Sequence, residues 1–291
     1  VSADLAARRP VRFRAEGAVS EFELVLSLKD LRPYGSAFVD KAWIQSWIDG
    51  QWRHDRAVFW VTSPSDSLVV HLPAGSRTAD VQVKIDGVET SPKPTPDARL
   101  ELVLPRGESN THHLVELNYR VAKTSDGWGR LSLEPPMFDE PLWVRRTYWQ
   151  VVLPETRHLF SSSGPYSGEF AWTWNGMGWS RAPLAEQPDL EEWIGTLHAA
   201  AMPRGSNRYL FSTLGTPEPL ETVTIGRGWM VLLVGGSVLL LALLTFYIPE
   251  VRHPGLAMAG AVLLLAGAWL QPDLALIVVQ IAVVALVFVV V

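Results

Sequence analysis

Phe170, Trp172, Trp174, Trp179 and Arg181 form the densest group of recognition-type side chains in the chain. They flank Asn175-Gly176, a dipeptide that joins antiparallel strands tightly. A two-residue loop there sets Trp174 opposite Met177, Trp172 opposite Trp179 and Phe170 opposite Arg181. Strand alternation then puts all five on one face. Such a face can stack a sugar or another flat ligand, or it can be the core side of a hairpin, because large aromatics bury much area. The two readings separate at Trp172. In a core, Trp172→Ala costs about 3–5 kcal/mol; on a platform it changes stability by no more than about 0.5 kcal/mol.

Other reactive side chains form weaker patterns. His112 and His113 are adjacent, so in a strand they point to opposite faces and cannot share a metal. Ser161, Ser162 and Ser163 run into Gly164-Pro165, which reads as a loop and lacks the Gly-x-Ser-x-Gly elbow. Asp139/Glu140 and Glu191/Glu192 are sequence neighbours expected to be solvated. Arg145-Arg146-Thr147-Tyr148-Trp149-Gln150 puts Arg145 with Trp149 on one face, and Arg146 with Tyr148 and Gln150 on the other; a cation–π contact is within reach. No catalytic residue, cofactor-binding residue or metal ligand is assigned, and the chain leans away from an enzyme. Cysteine is absent, which excludes disulfides and thiolate chemistry. The net charge is −5 with acids and bases interspersed, so there is no nucleic-acid footprint.

These residues must be positioned by short strands. Alternating apolar residues recur at 21–28, 57–62, 68–72, 81–85, 100–104, 114–121, 130–133, 144–153, 169–174, 177–181, 209–212 and 221–225. Polar turns such as Asp86-Gly87 separate them. The expectation is a mainly β, antiparallel sandwich-like head of one or two sandwiches over 1–181, with a sub-boundary near 125–128. Residues 41–48 fit a helix with Trp43, Ile44, Trp47 and Ile48 on one face. They also fit a strand whose Asp49-Gly50 turn sets Trp47 opposite Trp52. Pro92, Pro94 and Pro96 mark a loop. Residues 182–227 read as a connector with final strands and a short helix that Asp189 caps before Trp193.

The remainder is written for lipid. Residues 229–248, 255–270 and 274–291 contain no Asp, Glu, Lys, Arg or His. About 20 apolar residues suit a helix crossing a bilayer, so residues 228–291 are expected to form three transmembrane helices. Trp229 and Tyr247 sit at the ends of the first, where interfacial aromatics belong. Gly235, Gly236, Gly255, Ala257, Ala259 and Ala261 offer close-packing positions. Ser237, Thr245 and Gln280 are the notable polar groups, too few for an ion pathway. Arg252 in the first turn favours a cytoplasmic turn and an extracytoplasmic head. Val1 and Val291 both look like cut ends of a longer protein, in which no leader remains visible.

Leu131-Ser-Leu-Glu-Pro-Pro, Trp143-Val-Arg-Arg-Thr-Tyr-Trp-Gln-Val-Val-Leu-Pro154, Trp193 and Asn207-Arg-Tyr-Leu-Phe211 together resemble uncharacterised large membrane-anchored bacterial proteins with an exported β-rich domain. That resemblance implies an exported head beside membrane helices and no known activity. The expected protein is therefore a non-enzymatic, membrane-anchored β-domain for binding or envelope assembly, in a bacterial inner membrane with its head outside. Its expected partners are the lipid bilayer and membrane proteins or envelope polysaccharide, with no nucleic acid. Two rivals are a glycan-binding or glycan-processing head built on the aromatic hairpin, and an accessory subunit of a larger membrane complex.

Overall fold

The computed structural model describes residues 37–77, 80–95, 99–105, 112–122, 125–126, 129–139, 142–174, 179–196, 206–249, 253–270 and 272–290. The expected strand at 21–28 lies outside them. The chain opens with β1 (Phe38–Asp49), β2 (Trp52–Thr62), β3 (Ser67–His71) and β4 (Gln82–Ile85). Then come β5 (Val88–Thr90), β6 (Lys93–Thr95), β7 (Arg99–Val103), β8 (His112–Ala122) and β9 (Ser125–Asp126). β10 (Arg130–Leu133) and β11 (Met137–Phe138) lead to β12 (Trp143–Pro154), β13 (Arg157–Ser163) and β14 (Ser167–Gly168). The hairpin β15 (Phe170–Trp174) and β16 (Trp179–Pro183) precedes helix α1 (Gln187–Ile194). β17 (Ser206–Thr213) and β18 (Leu220–Gly226) run into three apolar helices, α2 (Arg227–Tyr247), α3 (Pro254–Leu270) and α4 (Pro272–Val290).

The head is mainly β, as expected, but its largest sheet is mixed rather than purely antiparallel. Eight strands lie in the order β14-β17-β12-β1-β2-β8-β4-β5. At its centre β1 and β12 run parallel, with Phe38 beside Trp143 and Trp47 beside Val152. Two four-stranded sheets, β13-β18-β10-β9 and β11-β3-β7-β6, supply the facing layer. The main core takes Ile44, Phe59, Leu117, Trp149 and Phe211 from the large sheet, and Val70, Leu102, Leu131 and Leu220 from the smaller ones. The segment 182–227 belongs to this body: β17 pairs with β12, and β18 pairs with β10 and β13.

Residues 41–48 are strand. β1 is central, and both its faces are covered: Ala42 and Ile44 face the main core, whereas Trp43 packs with Tyr148, Leu190 and Ile194 beneath α1. A strand buried on both sides loses its alternation. That is why its pattern also fits a helix. The turn after β1 spans Gly50 and Gln51, so Trp52 pairs with Asp49 and Trp47 faces His54 instead of Trp52.

Helix α1 begins one turn earlier than Asp189 suggests. Glu186 is its N-cap, and the Asp189 carboxylate accepts the Glu186 N–H at 2.9 Å, closing a reciprocal box. Its C-terminus stops at Gly195, with φ of 86°. The serine run at 161–163 is the end of β13 rather than a loop, paired with β18. The Pro94 region likewise carries a short strand, β6, paired with β7.

Of the three expected spans, one is long and apolar enough to cross a membrane among the described residues. That is α2, with 21 residues. Helix α3 has 17 residues, about 25 Å at 1.5 Å per residue, and the qualifying stretch of α4, Val278–Val287, is shorter still. Gly235 of α2 faces Ala285 of α4 closely enough that a Cβ on it would lie 4.0 Å from the alanine methyl.

Candidate functional site: an aromatic hairpin against a membrane-type helix

The hairpin keeps the five expected side chains on one face but with another register. Trp174 pairs with Trp179, Trp172 with Arg181 and Phe170 with Pro183. The two-residue loop therefore does not hold: four residues separate the paired tryptophans. Asn175 and Gly176 lie outside the described residues. A shift of two preserves the face, because strand side chains repeat every second residue.

This face is not a core. Trp174 is 59% exposed and Trp179 47%. Their rings meet edge to face at 5.8 Å. Behind them the Arg181 guanidinium lies 5.1 Å from the Phe170 ring and 5.2 Å from Trp172. Arg181 Nη1 also donates to Leu159 O at 3.3 Å. Phe170, Trp172 and Arg181 are thus half-buried against the head, while the tryptophan pair projects.

A two-stranded ribbon is marginal alone, and this one is held at both ends. At its base, Glu169 N–H donates to Leu210 O at 2.7 Å, Leu184 N–H donates to Glu169 O at 2.9 Å, and the Ser212 hydroxyl donates to the Glu169 carboxylate. At its tip, Trp179 N–H donates to Gln280 Oε1 at 3.0 Å, and Gln280 Nε2 donates to Trp179 O at 3.1 Å. Gln280 belongs to α4. Its side-chain amide pairs with the hairpin backbone as another strand would. Within α2, Ser237 donates to Leu233 O at 2.6 Å, and Thr245 to Leu241 O at 2.8 Å. Gln280 is the residue that sequence reasoning left without a role. Its signal was the one amide in an otherwise apolar segment.

The remaining candidates are engaged structurally. His112 and His113 do diverge: His112 Nδ1 shares a 2.7 Å hydrogen bond with the Thr62 hydroxyl, and His113 is buried 2.8 Å from Asp86. Arg145 pairs with Asp40 rather than stacking on Trp149, whereas Arg146 lies 5.7 Å from the Tyr148 ring. Asp139 is held by His71 at 2.6 Å, and that hydrogen bond draws its carboxyl below the usual range. Glu191 is not solvated. It accepts from Gln187 Nε2 at 2.6 Å and lies 3.6 Å from Arg56. Among the described residues no group of three His, Cys, Asp or Glu side chains could hold a metal.

A second ionisable cluster lies inside the core. Asp55 is fully buried, 2.7 Å from Arg53, and Arg53 donates to Glu134 O at 2.8 Å. Burial pushes the Asp55 carboxyl up against the opposing pull of Arg53, Ser46 and Tyr119; the Tyr119 hydroxyl is raised by burial and by the Asp55 charge. Arg53 reaches a small cleft beside Ala74, Val121, Leu133 and Glu134. The Arg53 guanidinium faces Asp55 within β2 and reaches the Glu134 carbonyl, so the cluster ties β2 to the segment that follows β10.

No family model and no curated protein matches the chain. Among solved structures it is similar to the M1 zinc metallopeptidase of Deinococcus radiodurans, at 12% identity over 65% of this chain and 42% of that one, with a TM-score of 0.38. It is similar to Legionella pneumophila aminopeptidase A at 10% identity, over 67% of this chain and 22% of that one, with a TM-score of 0.39. It is also similar to yeast LTA4 hydrolase at 12% identity, over 66% and 30% of the two chains, with a TM-score of 0.35. The chain spans less than half the length of each. At these scores the likeness identifies no family.

Proposed function

We propose that this chain is a non-enzymatic, membrane-anchored β-domain whose head binds partners or assembles at the bacterial envelope, and whose aromatic hairpin clasps the anchor. The observation that carries the reading is the reciprocal pair of hydrogen bonds between Gln280 and the Trp179 backbone. An amide in lipid must find a partner, and this one finds the head. Apolar side chains are exposed along the helices: Leu232, Leu240, Phe246, Leu264 and Val284 all face outward. An apolar surface of that extent belongs to lipid or to other membrane helices. On this reading α3 and α4 accompany α2 in the bilayer as a three-helix anchor, and the head lies outside a bacterial inner membrane. Arg252, which supports that orientation, lies outside the described residues.

Alkaline carbonate washing of one membrane sample and protease treatment of a second, kept as sealed outside-out vesicles, test the two halves. The full chain stays in the pellet of the first, and protease removes the head in the second. Release of the intact chain into the supernatant contradicts the anchor; a head cut only after lysis reverses the orientation. The exposure of Trp174 and Trp179 also favours a second reading, an envelope-polysaccharide platform at the hairpin tip. Loss of polysaccharide binding in a stably folded Trp174→Ala variant would support it.

A further inference from the structure

A cleft opens where the large sheet meets β10 and the loop after β3. Ile48 near the end of β1, Val121 near the end of β8 and Leu133 at the end of β10 give it apolar walls. Its volume is about 70 Å³, several times the roughly 10–15 Å³ that a single water needs. It has room for a small molecule or for one side chain of a partner. Arg53 lines it with one nitrogen to spare. The side chain is 5% exposed, and its Nη2 faces Asp55 at 2.7 Å and the Glu134 carbonyl at 2.8 Å. Nε is sealed off without a hydrogen bond. Nη1 also has none among the described residues, but it is not sealed off. In so narrow a cleft that donor selects a ligand bringing an acceptor oxygen.

That oxygen belongs to an uncharged group. Two carboxyls stand against the one guanidinium, Asp55 in the core and Glu134 at the rim. Whether or not Asp55 carries its proton, the cleft has no net positive charge, so an anion gains nothing there. Ser132, also in the lining, is turned to the Glu221 carboxylate at 2.5 Å. Glu134 supplies the complementary function. Its Oε2 accepts the Ala74 N–H at 3.3 Å, and its Oε1 accepts nothing among the described residues. A donor from Arg53 beside an acceptor from Glu134, over apolar walls, is the pattern that a carboxamide answers with its own C=O and NH₂.

We propose that this cleft is a recognition site for a small aliphatic carboxamide. Its carbonyl oxygen accepts from Arg53 Nη1, its N–H donates to Glu134 Oε1, and its alkyl part lies against Ile48, Val121 and Leu133. The proposal adds a ligand class to the binding head and is independent of the anchor, which carbonate extraction tests separately.

Saturation-transfer NMR on the full chain in detergent tests it with propionamide, propionate and butanone, which share size and shape. Propionamide binds most tightly. Butanone, which cannot donate to Glu134, binds about fivefold more weakly, the factor for one hydrogen bond. Propionate, which meets Glu134 with a second carboxylate, binds at least about tenfold more weakly. Glu134→Gln keeps an acceptor oxygen, removes the repulsion and narrows that gap. Ala74→Trp, at an exposed position on the rim, fills the mouth and abolishes binding with an unchanged far-UV spectrum. Arg53→Met with Asp55→Leu removes the buried pair together, so that neither charge is stranded, and also abolishes binding. N-acetylglutamine methylamide distinguishes the source of the amide. Tighter binding than propionamide assigns the site to a partner's amide side chain, weaker binding to a free amide, and both support the proposal. Propionate held as tightly as propionamide by the wild type overturns it. So does propionamide binding that survives Ala74→Trp, or a failure of all three probes to bind.

Discussion

Single side chains decide which parts of this head are rigid and which are presented. Glu116 illustrates the rigid part. Burial pushes its carboxyl up, but two hydrogen bonds from Arg56, at 2.9 and 3.4 Å, and the Arg56 charge outweigh that and leave it below the ordinary glutamate value. A carboxyl lowered in the fold contributes stability above its unfolded pKa, and that contribution is lost as pH falls through the lowered value. Glu116→Gln is expected to cost about 1.5–3 kcal/mol at neutral pH, the range for hydrogen bonds to a charged group. It is also expected to flatten the acid limb of stability. Urea denaturation of both proteins across the acidic range checks this; an unchanged acid limb contradicts it. Trp172 illustrates the presented part. It is half-buried over Arg181 rather than locked in a core, so Trp172→Ala should cost about 1–2 kcal/mol, the scale of a partly desolvated cation–π contact. A loss of about 3–5 kcal/mol would restore the core reading. At this scale the sequence was partly legible. The identity of the hairpin face was readable from alternation. The burial of Glu191 was not, because its partner Arg56 lies far away in the chain on β2.

Elements were legible where one face is wet. β4, β7 and β8 alternate and fall where the period places them, and β8 shows buried positions at every second residue. β12 falls where a strand was expected at 144–153, but β1, covered on two faces, was harder to read, and the parallel pairing of the two spans a separation that leaves no local signal. The hairpin register failed for a related reason: Asn175-Gly176 announces a turn, but contacts at the base and tip decide which residues pair. Those contacts make a test of the element. Gln280→Leu removes both tip hydrogen bonds without adding charge to α4. Amide exchange at Trp179 and its neighbours in β16 is expected to rise about fivefold, since one such bond is worth about 1 kcal/mol. The β1–β2 ladder should exchange as before. Equal protection of Trp179 in both proteins contradicts the tip contact.

At the scale of the molecule, the central claim is that head and anchor are one mechanical unit. β18 ends at Gly226 and α2 begins at Arg227, so the last strand of the head feeds the first helix without a linker. The hairpin closes the second connection, through Gln280. Two attachments fix an orientation that one would leave free. The absence of native cysteine makes a direct measurement clean. Trp179→Cys with Val284→Cys, one helical turn from Gln280 so that the amide stays in place, treated in native membranes with a bifunctional thiol reagent, should cross-link. Trp174→Cys with Trp179→Cys, directly opposite in the hairpin, serves as the positive control. Cross-linking of the control pair without cross-linking of 179 to 284 would contradict the account, and would leave the head hanging from α2 alone.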